Sequence, residues 1–310
     1  MHRLCASRRA FVSAALLVPV LSTGRRALGK ASNAASSEIH WGKLPSGVTL
    51  KPLTQGTADD FLFISGFIAI ARITAQPGSG VLSFYNDRAG LIGPRILYVE
   101  QGVMQLGPIN VSPGSQPGPV LLIRKATQGE EPPQPVVVLP RTQVDCHAGD
   151  MIFFPADTAY QADNGEDASA NFLEIDGFPT YTNSSGVVVE GMTAERLAVD
   201  IGVVTADPSA PPVVRIGRLT LASQTQLSTP QAAYGPQLFA IEQGALSVTG
   251  HHGKVQLRRS NVNNPGEIEK PGTALALTTG DAFLIPPGSS STLQSSDEVS
   301  VLVLEVRAPK

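Results

Sequence analysis

The amino-acid sequence predicts an all-β protein that is built from two copies of one β unit. Four short segments recur in the same order in the two halves of the 310-residue chain. The 30 glycines and 25 prolines favour frequent turns and short strands over long helices. Short apolar runs that open with Gly-Asp and close with Pro are typical of buried strands between tight turns.

The recurrence is the strongest signal, because the order of the matching segments is kept and their spacing changes only across loop-like stretches. The pairs are IARIT (70–74) with IGRLT (216–220), GPRILYVEQG (93–102) with GPQLFAIEQG (235–244), GDMIFFPAD (149–157) with GDAFLIPPG (280–288), and FLEI (172–175) with VLEV (303–306). Their offsets are 146, 142, 131 and 131 residues. We conclude that the chain is an internal duplication.

Each copy reads as strands separated by turns. The run ILYVEQGVMQL (96–106) has the β-branched and aromatic content of two strands around a Gly-centred turn. Pro-rich stretches within 107–143 and 250–278 are typical of solvent-facing loops, and we expect loops there. These features extend the all-β prediction to both halves.

A short helical linker is predicted between the copies, over MTAERLAVDIGV (192–203). Met192, Leu197 and Ile201 fall loosely on one helical face, and Thr193 offers a start signal. We therefore expect the boundary between the copies near 185–205.

Three segments are predicted along the chain. Residues 1–34 form a targeting segment, residues 55–185 the N-terminal β domain, and residues 205–308 the C-terminal β domain.

The net charge of the chain argues against nucleic acid as a partner. The formal charge is −3 and the isoelectric point is near 6.0. Nucleic-acid binding requires a concentrated basic face, and no basic run occurs outside the first 30 residues. We expect no nucleic-acid partner.

The N-terminus resembles an export signal. Arg8 and Arg9 precede an apolar run that ends at Leu21 and is too short to span a bilayer. Twin arginines followed by such a run are typical of twin-arginine export, which implies a periplasmic or extracellular protein. An organellar transit peptide is the alternative, since no acidic residue precedes Glu38. We expect no membrane span in the mature chain.

The repeated strands and turns over residues 55–308 resemble the cupin superfamily, specifically two-domain bicupins. The second cupin motif is marked in the first copy by Gly149 and Pro155, and in the second copy by Gly280, Pro286 and Gly288. The resemblance implies two tandem double-stranded β-helix (jelly-roll) barrels. It also implies metal ligands at defined positions, three histidines and a glutamate in each barrel.

The expected metal ligands are absent from those positions. In the first copy, Arg95 falls in the glutamate position, Tyr160 in the last histidine position and Asn164 in the position of a motif asparagine. In the second copy, Gln237 and Ser291 take the first two of these positions. The remaining histidine positions fall within 88–91 and 230–233, which contain no histidine.

These replacements predict barrels without a metal cofactor. A redox metal in such a barrel needs neutral imidazoles and a carboxylate that converge on one ion. Arg95 would instead bring a permanent positive charge to that point. A tyrosine hydroxyl and a guanidinium can bind a carboxylate or a sugar hydroxyl. We therefore take Arg95, Tyr160, Asn164, Gln237 and Ser291 as candidate ligand-binding residues, with no catalytic residue assigned.

Other polar residues are predicted to be structural. Glu100 and Glu242 recur in EQG turns and are expected to accept backbone N–H bonds, and the recurring Arg72 and Arg218 are expected to form a surface or inter-barrel ion pair. Cys146-His147 is expected to be a buried thiol or strand end, and His251-His252 an exposed loop. These eight positions carry no separate functional prediction.

Three functions compete. The first is an exported, metal-free bicupin that binds a small polar ligand in the N-terminal barrel, with no reaction assigned. The second is a metal-dependent bicupin enzyme, such as a dioxygenase or an oxalate-decarboxylase-like protein, with ligands recruited from elsewhere. The third is a structural or assembly protein, for which homo-oligomers are expected.

Overall fold

A computed structural model of the chain describes residues 44–57, 65–82, 94–111, 118–125, 133–156, 158–178, 190–204, 213–229, 235–253, 255–260, 267–269 and 271–307. Every regular element within these ranges is a β-strand, so the predicted all-β class is confirmed. No helix in this part of the chain is long and apolar enough to cross a membrane. The predicted targeting segment 1–34 lies outside the described residues.

The first half of the chain contributes eleven strands before the segment that joins the copies. They are β1 (Val48–Thr57), β2 (Ser65–Ala75), β3 (Gly80–Leu82), β4 (Arg95–Gln101), β5 (Val103–Val111), β6 (Val120–Ile123), β7 (Val136–Val138), β8 (Val144–His147), β9 (Met151–Phe154), β10 (Thr158–Asp163) and β11 (Ala170–Phe178).

The second half repeats this series, beginning with the joining segment itself. The strands are β12 (Met192–Val204), β13 (Val213–Leu221), β14 (Gln226–Ser228), β15 (Gln237–Gln243), β16 (Ala245–His252), β17 (Val255–Arg258), β18 (Glu267–Glu269), β19 (Ala274–Thr278), β20 (Ala282–Ile285), β21 (Ser290–Ser295) and β22 (Val299–Arg307).

Each copy folds as a seven-stranded sheet facing a four-stranded sheet, with antiparallel pairing throughout. The first copy has the orders β12-β2-β11-β4-β9-β6-β7 and β3-β10-β5-β8. The second has β1-β13-β22-β15-β20-β17-β18 and β14-β21-β16-β19. The two orders match strand for strand, which confirms two tandem jelly-roll barrels. Both lie within one compact unit, residues 37–310.

Three apolar cores follow from this arrangement. One fills the first barrel and includes Leu97, Phe154 and Phe172, drawn from its larger sheet, together with Tyr160 from the smaller one. A second fills the other barrel in the same way. The third lies between the barrels, because alternate residues of β4, β11, β15 and β22 point away from the barrel interiors and pack on each other.

The predicted helical linker is wrong, because residues 192–204 form strand β12. The strand pairs along β2, with Met192 opposite Ala75. Its register shifts between Arg196 and Ala198 and again between Ala198 and Ile201. Each such bulge adds a residue and breaks the two-residue alternation of a strand. The apolar side chains therefore recur every four or five residues, which imitates a helical pattern.

The exchange of leading strands links the two copies. Strand β1, which precedes the first copy, pairs with β13 in the sheet of the second, with Val48 opposite Leu221. Strand β12, which precedes the second copy, pairs with β2 in the sheet of the first. Each sheet is thus completed by a strand from the other repeat. The limits predicted for the domains, 55–185 and 205–308, stay a prediction.

The predicted loop stretches contain short strands. Strands β6 and β7 lie within 107–143, and β17, β18 and β19 lie within 250–278. β6 pairs with β9 and β17 pairs with β20, so both larger sheets grow by two strands beyond the core pattern. The high Pro content concealed them, since strands at a sheet edge tolerate nearby prolines.

The predicted alignment of the fourth repeat pair, FLEI (172–175) with VLEV (303–306), is wrong by two residues. Asp176 lies opposite Arg95, and Glu305 lies opposite the equivalent Gln237. Asp176 therefore corresponds to Glu305, whereas aligning FLEI with VLEV would match Glu174 to Glu305. The turn from β10 to β11 is longer than the turn from β21 to β22, which causes the shift. A shift of two residues keeps every side chain on the same face of its strand.

Candidate functional site

A polar layer lies at one end of the first barrel, on its inward face. Arg95 shares a strand face with Leu97 of the barrel core, and Glu174 and Asp176 share one with Phe172. Tyr160 enters the same layer from the opposite sheet. Strand alternation therefore brings together residues from β4, β10 and β11.

The contacts within this layer are ionic and aromatic. The Arg95 guanidinium donates a hydrogen bond to Asp176 from Nε, and that nitrogen lies 3.1 Å from Glu174 Oε1. The Tyr160 hydroxyl donates to the same Glu174 oxygen at 2.8 Å. Arg95 Cζ also lies 4.8 Å from the centre of the Tyr160 ring, a cation–π contact. Arg95 and Tyr160, predicted together, do meet in the structure.

The surroundings in this layer raise the pKa of the Glu174 carboxyl group and of the Tyr160 phenol. Burial, together with the charge of Asp176, raises the pKa of Glu174 although Arg95 and the Tyr160 hydroxyl act in the opposite direction. Burial and the charge of Glu174 raise the pKa of Tyr160 well above its usual range. Tyr160 is therefore a neutral hydrogen-bond donor at physiological pH.

The second barrel has a related layer with a different source of positive charge. Gln237 replaces Arg95 and donates to Glu305 at 3.1 Å. Arg215 on β13 lies opposite Glu305 on β22, and its Nη1 is 3.7 Å from Glu305 Oε2. The residue of β2 equivalent to Arg215 is Ala69, which lies opposite Asp176. The arginine therefore comes from one neighbour of the acidic strand in the first barrel and from the other neighbour in the second.

Asn164 and Ser291, two of the predicted ligand-binding residues, are engaged in structural contacts. Asn164 donates to the carbonyl oxygens of Ala75 and Ala168, both at 2.9 Å, and accepts from the Glu166 backbone N–H. The Ser291 hydroxyl lies 3.1 Å from the Thr229 hydroxyl and is fully buried. These contacts hold turns and strand ends together, and the assignment of both residues to ligand binding stays a prediction.

The residues at the glutamate position and the last histidine position of each barrel do not fit a metal ion. Arg95 and Tyr160 in the first barrel, and Gln237 and Ser291 in the second, supply one cation and three neutral side chains. Arg95 also contacts both nearby carboxylates, so a cation there would meet a like charge. Among the described residues, no three His, Cys, Asp or Glu side chains are grouped as a metal site requires. The remaining histidine positions, within 88–91 and 230–233, lie outside the described ranges.

The recurring Gly-Asp pairs are structural anchors. Asp150 accepts hydrogen bonds from the backbone N–H groups of Lys125 and His147, both at 2.9 Å, and from Arg124 at 2.7 Å. Asp281 makes the same set of contacts in the second barrel, with the backbone N–H groups of Ser260 and Thr278 and the Arg259 guanidinium, all at 3.0 Å. Both aspartates are buried.

A four-residue ion-pair network joins the barrels, as the recurring arginines predicted. Arg72 Nε donates to Glu100 and Arg218 Nε donates to Glu242, both at 2.6 Å. Each arginine also reaches across to the other glutamate, Arg218 Nη2 to Glu100 at 2.7 Å and Arg72 Nη2 to Glu242. These glutamates were expected to accept backbone N–H bonds in a structural role, and their side chains instead contact two arginines at the interface. Burial disfavours the charged form of Glu242, yet the two arginines lower its pKa.

Cys146-His147 and His251-His252 lie on separate strands, β8 and β16. Cys146 on β8 is buried, and its burial raises the pKa of the thiol to about 12. His147 is exposed beside Asp150, with Nδ1 3.8 Å from the carboxylate. His251 and His252 end strand β16 instead of lying in a loop, and His251 Nε2 is 2.5 Å from the Thr292 hydroxyl.

Sequence reasoning missed the acidic half of both layers. Glu174 and Glu305 lie within the repeat segments FLEI and VLEV without a predicted role, and neither Asp176 nor Arg215 is predicted. One signal was available: charged residues that alternate with large apolar residues on a strand face inward, where they require partners.

The fold defines an all-β protein of two tandem jelly-roll barrels, each with a polar layer at the same end. No protein-family model matches the chain, and no curated protein matches its sequence. Similar solved structures include the coconut allergen cocosin, with 12% identity over 88% of this chain and 87% of that chain, at a TM-score of 0.39.

Two bacterial structures are similar to the chain in the same way. An oxalate decarboxylase mutant from Bacillus subtilis has 9% identity over 86% of this chain and 75% of that one, with a TM-score of 0.44. A cupin 2 conserved barrel domain protein from Leptotrichia buccalis has 10% identity over 84% of this chain and 90% of that one, with a TM-score of 0.30. These proteins include an enzyme and an allergen, so the likeness is one of fold alone.

Proposed function

We propose that the first barrel binds a small, neutral, hydroxyl-bearing ligand, such as a sugar-like molecule, at its polar layer. The observation that carries this proposal is the partial exposure of the layer. The side chains of Arg95, Glu174 and Asp176 are 14%, 18% and 19% exposed, whereas Arg215 and Glu305 of the second barrel are 7% and 3% exposed. Solvent, and therefore a ligand, reaches the first layer more readily than the second.

Charge favours a neutral ligand over a carboxylate. The layer holds one guanidinium, Arg95, and two carboxyl groups, Glu174 and Asp176, so its net charge is negative when both are ionised. A carboxylate ligand would compete with both acids for Arg95 and would be repelled by the charge of Asp176. A hydroxyl group can donate to a carboxylate and accept from a guanidinium or a phenol at once. Of the two ligand classes predicted from the sequence, the sugar-like class is therefore the better fit.

A thermal-shift panel tests this proposal. The full chain is heated with neutral sugars and polyols in one set and small carboxylates in the other. A ligand that binds only the folded state stabilises it by about 2.7 kcal/mol at 100 times its Kd. We expect a shift from at least one neutral compound and none from the carboxylates. A shift from carboxylates alone would overturn the assigned ligand class.

Two variants and a control locate the site. Arg95→Ala removes the guanidinium of the layer and Tyr160→Phe removes its phenol hydroxyl, and each is expected to abolish the shift. Glu166→Gln changes an exposed acid in the turn after β10 and is expected to leave it unchanged. A shift that survives both layer variants would place binding elsewhere in the chain.

We also propose that the protein is exported by the twin-arginine route. Support comes from Arg8, Arg9 and the apolar run that follows them. Fractionation of cells that express the full chain should find the protein outside the cytoplasm, and Arg8→Lys with Arg9→Lys should retain it inside. Export that continues in the double variant would contradict this route.

A further inference from the structure

The second barrel contains a buried hydrogen-bond acceptor that none of the described residues satisfies. Gln237 donates from Nε2 to Glu305, which orients its amide and leaves Oε1 as the free acceptor. Gln237 is only 2% exposed and lies on the strand face that carries Phe239 of the barrel core. A buried acceptor without a donor is costly, so native proteins supply one from a side chain or from a bound molecule.

A buried ion pair lies beside this acceptor. Arg215 Nη1 is 3.7 Å from Glu305 Oε2, and both side chains are buried. Gln237 and Arg215 both lie opposite Glu305, on the two strands that flank β22. The three polar groups therefore converge on one layer.

The two barrels fill this layer with different side chains. Phe154 and Tyr160 of the first barrel, which pack with ring centres 5.2 Å apart, correspond to Ile285 and Ser291 in the second. The second barrel carries its two rings one layer deeper, as the stacked pair Phe239–Phe283 with centres 4.6 Å apart. Gln237 therefore has smaller neighbours at these two positions than Arg95 has, although Arg215 replaces Ala69 in the same layer.

We propose that the second barrel encloses a small neutral molecule that donates a hydrogen bond to Gln237 Oε1 and lies beside the Arg215–Glu305 pair. Neutrality follows from the burial of the layer, because moving an ion out of water into so buried a place carries a large desolvation penalty. Water and a small organic molecule with hydroxyl or amide groups share this chemistry. The site is separate from the layer of Arg95 in the first barrel.

A crystal structure of the full chain at about 1.5 Å resolution is the direct test. We expect a density peak at roughly 2.7–3.2 Å from Gln237 Oε1. Mass spectrometry of the solvent extract from denatured protein then separates the two sources. A stoichiometric organic compound identifies that molecule, and its absence together with the peak identifies water. An empty layer, a protein donor on Gln237 Oε1, or a charged occupant would overturn the proposal.

A matched pair of variants adds a second readout. Gln237→Met removes the acceptor and should remove the density peak, and it should lower any extracted compound at least tenfold. Gln226→Met makes the same change at an exposed position of β14 and should leave both unchanged. A peak that persists in Gln237→Met would show that Gln237 does not hold the molecule. If that variant does not fold, the structure of the unaltered chain still decides.

Discussion

Single positions show how the two barrels diverged while keeping one arrangement. Asp176 and Glu305 occupy equivalent places, and each faces an arginine that neighbours it across a strand pair. In the first barrel this partner is Arg95 on β4, and in the second it is Arg215 on β13. A buried carboxylate needs a partner, but either adjacent strand can provide it. The partner strand therefore changed between copies while the pairing remained.

The raised pKa of Glu174 predicts a specific dependence of stability on pH. Folded Glu174 holds its proton more tightly than the unfolded chain does, because burial and the charge of Asp176 disfavour its ionised form. Its contribution to the free energy of unfolding therefore falls as pH rises from the ordinary value near 4.5 to the raised folded pKa. Glu174→Gln should remove this loss.

Urea unfolding of both proteins at a series of pH values measures this effect. We expect the difference in unfolding free energy to move in favour of Glu174→Gln between pH 4 and pH 7. Glu166→Gln, which changes an exposed acid, should show no such trend. A difference for Glu174→Gln that stays constant with pH would contradict the raised pKa.

Removal of either Gly-Asp carboxylate should be strongly destabilising. Asp150→Ala removes the acceptor of two backbone N–H groups and the carboxylate partner of Arg124, and Asp281→Ala does the same around Arg259. Losing hydrogen bonds to a charged group of this kind costs roughly 1.5–3 kcal/mol. Chemical denaturation measures the loss, and Asn in place of either Asp should cost less.

The neighbouring Asp145 offers a matched control for this prediction. It is exposed, and its carboxylate accepts from Gln105 at 3.2 Å. Asp145→Ala should change the unfolding free energy by no more than about 0.5 kcal/mol. Equal effects at positions 145 and 150 would show that burial of the Gly-Asp carboxylate does not matter.

At the scale of elements, the EQG turns depend on glycine for two separate reasons. Gly244 has a φ of 88°, a conformation that side chains rarely adopt, and a Cβ there would lie 2.6 Å from the Glu298 carbonyl oxygen. Gly272 has a similar φ of 85°, but a Cβ there would meet nothing within 4 Å. The two positions therefore separate backbone strain from steric collision.

Alanine at these two glycines should have unequal costs. Gly272→Ala carries only the backbone penalty, about 1–2 kcal/mol. Gly244→Ala adds a collision with backbone, and overpacking typically costs a further ~1–3 kcal/mol. Denaturant unfolding of both variants checks the order. Equal losses would mean that the β15–β16 turn can move away from β22.

The sequence predicted elements well where alternation and turns were regular, and less well where strands were bent or paired at a distance. The Gly-Asp strands and the EQG hairpins were predicted at their correct places. β12 was mistaken for a helix, because its bulges are set by pairing with β2 and leave no local mark. Arg95 and Tyr160 were placed together by motif spacing, whereas Glu174 and Arg215 join their layers only through strand register.

At the scale of the whole molecule, the ion-pair network connects the two barrels, because each of its arginines contacts a glutamate of both. Arg72 and Arg218 each contact Glu100 and Glu242, and the four side chains are between 8% and 31% exposed. Removing one arginine leaves two carboxylates with only one cation between them. We expect Arg72→Met and Arg218→Met each to cost about 1–3 kcal/mol of unfolding free energy.

A double-mutant cycle isolates the coupling in this network. Residues of one salt-bridge network show interaction energies of about 0.5–3 kcal/mol, so the effects of Arg72→Met and Arg218→Met should not add. Glu195→Gln is the control, because Glu195 is 56% exposed and lies 3.5 Å from Arg72. Simple addition of the two arginine effects would mean that each pairs within its own barrel alone.

Cleavage between the barrels should not separate them. A protease site introduced within 205–212, between β12 and β13, would leave β1 in the sheet of the second barrel and β12 in the sheet of the first. The apolar core between the barrels adds to this attachment. Size-exclusion chromatography should show the cut protein at the position of the intact chain. Two smaller species would show that the strand exchange does not hold the halves together.

The exchange of β1 and β12 also bears on how such a chain arose. Met192 faces Ala75 as Val48 faces Leu221, so both leading strands sit in matching register against equivalent partners. One repeat alone would have a leading strand that does not pair within its own barrel. The edge strand of its larger sheet would in turn lack a pairing partner. An ancestor with a single repeat would satisfy both strands by forming a dimer in which each molecule pairs its leading strand with the sheet of the other. Fusion of two such repeats would place both exchanged strands within a single chain.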